Sequence, residues 1–297
     1  MRPARLPGHG TARRRRRFRL TAYPHPMTFW LLLIGAVGGF VAGLIGIGGG
    51  VIFGPALFFA FAAVGIDDPV LTPLTLGSSL LCTFAASSSG AVRQHRAGAV
   101  DWRTALLVGA FAAVAVVLVG RFVTTQGWYD KRAFQLVFGT VLSAVAVRML
   151  TSRARGGNSL TGRGVRRGPG GLAATGAAAG VLASLAGVGG GVILVPALSA
   201  LLKLPLKVAA ATSTAAIVCI TGAGVATYAV LGWGEPVPAG AIGYVGWKQA
   251  AVLALPAVAA APFGVAAAHR VDVRVVRVAF ALLALGVAGR LLWNALG

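Results

Sequence analysis

Acidic residues are scarce in this chain of 297 residues, which has only six Asp and Glu residues against 27 Lys and Arg. All six fall in predicted loops or at predicted helix ends; they are Asp67, Asp68, Asp101, Asp130, Glu235 and Asp272. Carboxylate metal sites and paired-carboxylate hydrolases both need Asp or Glu side chains that converge on one site. The chain also lacks a Walker A lysine and an HExxH motif. We therefore expect no metal, no cofactor and no catalytic site.

Charged residues make up only 11% of the chain, whereas 57% of the residues are hydrophobic and the mean hydropathy is +0.82. A soluble globular protein carries roughly 25% charged residues. At about 20 apolar residues per transmembrane helix, the chain has room for several spans. The two cysteines, Cys82 and Cys219, fall inside apolar runs and are expected to be free, buried thiols. The composition predicts an all-α integral membrane protein.

The net charge of +21 is concentrated outside the apolar runs. Eight basic residues precede Met27, and six more lie between Arg148 and Arg167. Membrane proteins typically hold Lys and Arg in cytoplasmic flanks and loops in this way. Residues 1–26 are predicted to form a disordered basic leader that lies along the bilayer surface, and we expect no nucleic-acid binding.

The sequence contains an internal repeat. Residues 43–59, GLIGIGGGVIFGPALFF, align without gaps to residues 184–200, SLAGVGGGVILVPALSA, with ten of seventeen positions identical. Repeats of this kind indicate duplicated structural units. We therefore predict two homologous transmembrane halves, residues 27–150 and 171–297, joined by a basic linker at 151–170.

The number of crossings in each half decides how the halves are related. The apolar run after each triple glycine is short, so we predict about eight full transmembrane helices plus half-helices broken at glycine, within 8 to 10 hydrophobic segments. Four crossings per half would make the halves parallel, and five would make them inverted. With five and the start outside, the loops that carry Arg93, Lys203 and Arg270 all face the cytoplasm, and the basic leader lies outside. With four and the start inside, the leader faces the cytoplasm, but the loops that carry Lys203 and Arg270 face out. Both arrangements place the 151–170 linker in the cytoplasm.

The triple glycines Gly48–Gly50 and Gly189–Gly191 are expected to break the helices that contain them. Unwound backbone at membrane depth is tolerated only where it is buried in protein or lines a polar cavity. Free N–H groups at a helix N-terminus, with the positive end of the helix dipole behind them, suit an anion. The alternative is close helix packing, since Gly43, Gly46 and Gly50 also have the small-xxx-small spacing.

Hydroxyl side chains follow each glycine motif in otherwise apolar segments. Hydroxyl and backbone donors without carboxylates favour an oxyanion over a metal cation. The alternative is that these Ser and Thr side chains bond the carbonyls of their own helices. The hydroxyls are Thr75, Ser78, Ser79, Thr83, Thr212, Ser213, Thr214 and Thr221. The candidate substrate-binding residues are Gly46, Gly48, Gly49, Gly50, Ser78, Ser79, Gly187, Gly189, Gly190, Gly191, Thr212 and Ser213.

The two glycine motifs, each followed by a hydroxyl pair, and the turn Gly98-Ala99-Val100-Asp101-Trp102 resemble the TauE/SafE membrane transporters. This family is also called the sulfite exporter or toluene-sulfonate uptake permease family. The resemblance spans roughly residues 27–297. It implies an inner-membrane, multi-pass transporter built from duplicated halves, with members linked to sulfite, sulfonates, sulfoacetate and related anions.

The sequence therefore predicts a secondary transporter that moves a small anion across the lipid bilayer. The solute expected from the resemblance is a sulfur oxyanion, an organosulfonate or a small carboxylate. A passive anion channel has the same features and is the alternative. No Asp or Glu lies in the central part of a predicted span, so a carboxylate proton relay is not expected. We favour coupling through protonation of the solute itself. The alternatives are coupling through His95, coupling through an ion bound by backbone carbonyls and hydroxyls, and no coupling.

Overall fold

A computed structural model describes residues 25–66, 69–151, 169–200, 204–268 and 273–296. Within these ranges the chain forms ten α-helices and no β-strand, which confirms the predicted all-α class. The helices are α1 (His25–Ile45), α2 (Gly50–Ala63), α3 (Leu71–Arg96), α4 (Trp102–Val119), α5 (Lys131–Thr151), α6 (Pro169–Ala186), α7 (Gly191–Ala200), α8 (Leu206–Leu231), α9 (Trp247–Ala267) and α10 (Val273–Leu296). A π-helical turn at Gly120–Thr124 extends α4.

Two predicted segments fall largely outside the described residues. Of the leader at 1–26, the structure describes only the last two residues, and these form the start of α1. Of the linker at 151–170, residues 152–168 lie outside the description. The acidic residues Asp67, Asp68 and Asp272 do as well.

The helices carry large apolar side chains on the outside of the bundle. Four of the described helices are long and apolar enough to cross a membrane, at residues 27–45, 102–124, 207–231 and 247–267. Exposed side chains on them include Phe29, Leu106, Phe122, Leu255 and Phe263. In water such a surface would be unfavourable, whereas in a bilayer it contacts lipid chains. The protein is therefore a multi-pass membrane protein.

Helix α2 folds back along α1. A Cβ placed on Gly38 of α1 would lie 2.5 Å from the ring of Phe53 of α2. With 14 residues, α2 is about 21 Å long, and the 10 residues of α7 give about 15 Å. Both are shorter than a hydrocarbon core of about 30 Å. Each is therefore too short to cross the hydrocarbon core by itself, and each begins inside the bundle beside the other glycine segment.

Helices α3 and α8 cross in antiparallel directions at the middle of the bundle. Gly77 near the start of α3 packs on Tyr228 near the end of α8, and Gly90 near the end of α3 packs on Thr214 near the start of α8. Both helices have 26 residues, about 39 Å. This crossing forms the platform on which the glycine segments lie.

Two parallel helix pairs flank the platform at very short distance. Gly35 and Gly43 of α1 contact the backbone of Leu253 and Ala261 of α9. In the same way, α6 runs parallel to α4, and Gly180 contacts the backbone of Ala112. Small residues at these positions let the helix backbones approach each other, as is common in membrane bundles.

The helix directions place several basic helix ends on one side of the molecule, whereas Arg121, Lys131 and Lys248 lie on the other. Helix α3 runs parallel to α9, since Ser78 contacts Gly246 and Ser89 contacts Val258. Helices α4, α6 and α8 run the opposite way. The end of α3, the end of α9 and the starts of α4, α6 and α8 therefore share one side, which carries Arg93, Arg96, Arg103 and Lys207.

Candidate functional site

The glycine segments break the helices as the sequence predicts. In the first segment, Gly46, Gly48 and Gly49 have φ angles of 77°, 85° and 73°. In the second, Gly187, Gly189 and Gly190 have φ angles of 64°, 75° and 77°. Only glycine adopts this left-handed region without a steric cost. Helices α2 and α7 begin directly after these turns, at Gly50 and Gly191.

The two glycine segments meet each other inside the bundle. A Cβ on Gly50 would lie 2.7 Å from the Cα of Val188 and 2.8 Å from the carbonyl oxygen of Gly187. Reciprocally, a Cβ on Gly191 would lie 2.6 Å from the carbonyl oxygen of Ile47. Every residue from 46 to 50 except Ile47 is a glycine, and all of them are buried. We call residues 46–50 and 187–191 together the glycine centre.

The glycine centre contains a set of buried donors. Among the described residues, no hydrogen-bond acceptor meets the backbone N–H groups of Ile47 to Val51 or of Val188 to Val192. The N–H groups of a first helical turn have no partner within the helix. Together with the positive ends of the α2 and α7 dipoles, these groups can bind an anion.

Ser79 and Ser213 anchor the two glycine segments. The Ser79 hydroxyl of α3 donates to the carbonyl oxygen of Gly187 at 2.9 Å. The Ser213 hydroxyl of α8 donates to the carbonyl oxygen of Gly46 at 3.3 Å. Each serine thus binds the glycine segment of the other predicted half. Both side chains are fully buried.

Ser78 and Thr212 bind elsewhere in the bundle. The Ser78 hydroxyl accepts from the N–H of Gly246 at the start of α9, at 2.9 Å. The Thr212 hydroxyl accepts from the N–H of Asp101 at the start of α4, at 3.1 Å. These two residues of the predicted site therefore bond the starts of α9 and α4, and their hydrogen-bond partners are not in the glycine centre.

The remaining predicted hydroxyls bond the carbonyl four residues earlier in their own helix. They are Thr75, Thr83, Thr214 and Thr221, with oxygen–oxygen distances of 2.6 to 2.8 Å. Two of them nevertheless line the glycine centre, because a Cβ on Gly189 would lie 2.9 Å from the Thr83 methyl and 3.1 Å from the Thr221 methyl. The Thr83 hydroxyl would lie 2.8 Å from a Cβ on Gly50.

Ser87 is a polar residue of α3 that the sequence reasoning missed. Its side chain is 1% exposed, and its hydroxyl has no hydrogen-bond partner among the described residues. It follows Thr83 by four positions and therefore lies on the same face of α3. That spacing from a residue already singled out was the available signal.

The described acidic residues lie away from the glycine centre. The carboxylate of Asp101 caps α4 by accepting from the N–H and the hydroxyl of Thr104, and that of Asp130 accepts from the N–H of Ala133 in α5. Glu235 lies in the connection between α8 and α9. In the described part of the chain, no three His, Cys, Asp or Glu side chains are close enough to hold a metal ion.

Comparisons with known proteins point to one family. The model of the family described as "Sulfite exporter TauE/SafE" matches residues 31–291. A "Probable membrane transporter protein" of Haemophilus influenzae is 28% identical over 86% of this chain and 95% of its own length. A protein of Methanocaldococcus jannaschii with the same description is 27% identical over 87% of this chain and 92% of its own length. No solved structure matches the chain.

Proposed function

This chain belongs to the TauE/SafE family, and from that premise we propose that it is a secondary transporter that moves a small anion across the cell membrane. The observation that carries the proposal is the glycine centre. Its buried backbone N–H groups come from two helix N-termini that meet midway along α3 and α8. A site at this depth suits a solute that is carried through the bundle.

The donors of the glycine centre favour an anion over a cation. Backbone N–H groups can only donate hydrogen bonds, and both helix dipoles present their positive ends. No described carboxylate lies nearby to attract a cation or to repel an anion. Substrate-binding residues on this proposal are the glycines of the centre, with Ser79 and Ser213 holding the segments in shape.

We propose a sulfur oxyanion, an organosulfonate or a small carboxylate as the solute. Each of these anions presents two or three acceptor oxygens in a compact head and can take several N–H donors at once. The family description names sulfite, which agrees with this class. The relatives are described only as membrane transporters, so the solute itself rests on the chemistry of the site.

We also propose that the chain is a duplication with inverted halves. The antiparallel crossing of α3 and α8 supports this relation, since these helices occupy the same place in the two halves. The two parallel pairs support it as well: α1 of the first half packs on α9 of the second, and the corresponding α6 of the second half packs on α4 of the first. Ser79 and Ser213 make equivalent bonds to opposite segments. In inverted repeats the substrate site lies at the interface of the two halves, as the glycine centre does.

The side that carries Arg93, Arg96 and Arg103 is proposed to face the cytoplasm. Short loops rich in Lys and Arg are retained on that side of the membrane. The predicted linker at 151–170 follows α5 and is proposed to face the cytoplasm too, and the membrane is proposed to be the inner membrane of a bacterial or archaeal cell.

Binding and uptake test this function directly. The purified protein is expected to melt at a higher temperature with its solute, because a ligand that binds only the folded state stabilises it by mass action. Sulfite, thiosulfate, sulfoacetate, taurine and small carboxylates form the panel, and choline is the cationic control. The best anion should then accumulate in proteoliposomes against its gradient. Saturable uptake that never exceeds equilibrium would identify a passive channel instead.

Energy coupling is proposed to run through protonation of the solute. The described acids are helix caps or loop residues, and the imidazole of His95 accepts a hydrogen bond from the indole N–H of Trp102 at 3.1 Å at a helix end. Uptake should therefore follow an imposed pH gradient, and His95→Gln should keep most of that response. Uptake that requires a sodium gradient and ignores the pH gradient would contradict this coupling.

A further inference from the structure

A groove opens between the second half of α3 and the second half of α9. Its volume is about 750 Å³. It extends along α3 from Ala85 to Ala97, a rise of about 18 Å. Its other lining residues are Ser88, Ser89, Val92, Arg93, Arg96, Val258 and Pro262. It is distinct from the glycine centre, because none of its lining residues belongs to that centre.

The mouth of the groove is positively charged. Arg93 and Arg96 lie in the last turn of α3, and both side chains are exposed. Of the described acids, only Asp101 lies on this side of the molecule, and its carboxylate caps α4. The last turn of α8, the helix that crosses α3, carries no basic residue.

Two serines line the interior of the groove. The Ser88 hydroxyl is buried and has no hydrogen-bond partner among the described residues. The neighbouring Ser89 hydroxyl is already used, since it donates to the carbonyl oxygen of Val258 at 2.8 Å. That carbonyl lacks its helical partner because Pro262, four residues later, has no N–H.

The walls of the groove are apolar and open sideways. Val92 is 51% exposed and Val258 is 37% exposed, and both project from the outer surface of membrane helices. In a bilayer this surface contacts lipid chains. The arginines at the mouth lie at the ends of the helices, where lipid headgroups are found. The groove therefore presents an apolar channel to the bilayer core and two cations to the headgroup layer.

We propose that the groove binds an anionic phospholipid of the leaflet on the basic side. The phosphate accepts hydrogen bonds from the guanidinium groups of Arg93 and Arg96, whose planar donors suit phosphate oxygens. An acyl chain lies along Val92, Val258 and Pro262. Lipid chains already surround the apolar walls, and a soluble anion has no apolar part that could replace them. A lipid is therefore favoured over a soluble anion as the occupant. Basic pockets between helices on the cytoplasmic side are suited to anionic headgroups.

The test measures thermal stability and not transport, so its result does not depend on the proposed function. The full-length protein is titrated with phosphatidylglycerol in neutral detergent, and phosphatidylcholine is the uncharged control lipid. Phosphatidylglycerol is expected to raise the melting temperature in a saturable manner, whereas phosphatidylcholine is not. The double variant Arg93→Gln/Arg96→Gln should bind phosphatidylglycerol about tenfold or more weakly.

Two further variants make the result specific to the groove. Arg103→Gln removes a charge on the same side but outside the groove, and it should respond like the wild type. Val92→Trp keeps both arginines and fills the groove, so phosphatidylglycerol should no longer raise its melting temperature. This variant also tests the proposal if the double variant does not fold. Equal phosphatidylglycerol responses in Val92→Trp and the wild type would overturn the proposal. So would a soluble sulfonate that gives the same shift and prevents the lipid effect, since the groove would then hold a solute.

Discussion

At the scale of single residues, the hydroxyl pairs have divided roles. Ser79 and Ser213 bond the carbonyls of Gly187 and Gly46, while Ser78 and Thr212 bond the N–H groups that start α9 and α4. A buried carbonyl that loses its donor costs about 1–3 kcal/mol. The first pair therefore holds the shape of the glycine centre.

Replacing Ser79 or Ser213 by Ala should affect both stability and solute affinity. The orphaned carbonyl lowers the melting temperature, and the loosened glycine segment weakens apparent affinity by about an order of magnitude or less. Thr75→Val is the matched control, because the Thr75 hydroxyl bonds only its own helix. Measurements are thermal unfolding and the concentration dependence of uptake. If Thr75→Val weakens affinity as much as Ser79→Ala does, the bond to Gly187 has no special role.

Adding a single methyl group to Gly49 should abolish uptake. A Cβ on Gly49 would lie 2.8 Å from the ring of Phe53 and 3.1 Å from the carbonyl oxygen of Gly38, and its φ is 73°. Gly65→Ala is the matched control, since Gly65 has a φ of 79° but nothing within 4 Å. Both variants incur the left-handed cost of about 1–2 kcal/mol, and only Gly49→Ala deforms the centre.

The larger variants Gly49→Leu and Gly190→Leu extend the same prediction to both glycine segments. Uptake is measured in proteoliposomes after membrane insertion has been checked. Normal uptake by both leucine variants would mean that the glycines serve helix packing alone.

At the scale of the helices, close backbone contact holds the bundle together. Gly39 of α1 faces the backbone of Ala257 in α9, and Gly180 of α6 faces that of Ala112 in α4. Lipid chains are as apolar as the helix surfaces, so packing at short range, and not burial from water, drives these contacts. Small residues are needed wherever the axes come this close.

Gly39→Ala should lower the melting temperature of the protein in detergent. Its Cβ would overlap the carbonyl oxygen of Ala257, so α1 and α9 must separate. Gly289→Ala in α10 is the control, because nothing lies within 4 Å of that position. There the substitution should be neutral or stabilising by up to about 1 kcal/mol through helix propensity. A Gly39→Ala variant as stable as Gly289→Ala would argue against tight α1–α9 packing.

At the scale of the whole molecule, the helix directions separate two surfaces. The connection between α3 and α4, at Ala97, lies on the side that carries Arg93, Arg96 and Arg103, and the connection between α8 and α9, at Glu235, lies on the other. The six basic residues from Arg148 to Arg167, at the end of α5 and in the predicted linker that follows it on the side of Ala97, favour that side as the cytoplasmic one. Both positions are exposed and therefore accessible to reagents.

Cysteine labelling tests this orientation. In a variant without Cys82 and Cys219, a cysteine at Glu235 should react with an impermeant maleimide added to spheroplasts. A cysteine at Ala97 should react only after the membrane is permeabilised. Labelling of both from outside would contradict the proposed orientation, and labelling in the reverse order would invert it. The same assay at Ser159 checks the predicted cytoplasmic linker.

The sequence by itself determined the membrane class, the repeated glycine motif and its helix breaks. Those properties follow from composition and from local backbone chemistry: few charges and long apolar runs require a bilayer, and consecutive glycines end a helix. All eight predicted glycines belong to the glycine centre, and Ser79 and Ser213 bond two of its carbonyl oxygens.

Only the tertiary structure decided which hydroxyls face those segments, since Ser78 and Ser79 are neighbours in sequence but point to different partners around α3. The antiparallel arrangement of α3 and α8 and the groove beside Pro262 were also visible only in the tertiary structure. Direction and partner choice arise from packing between helices far apart in the chain. Local patterns of hydrophobicity do not encode that packing, because every helix in this bundle is apolar on most of its surface.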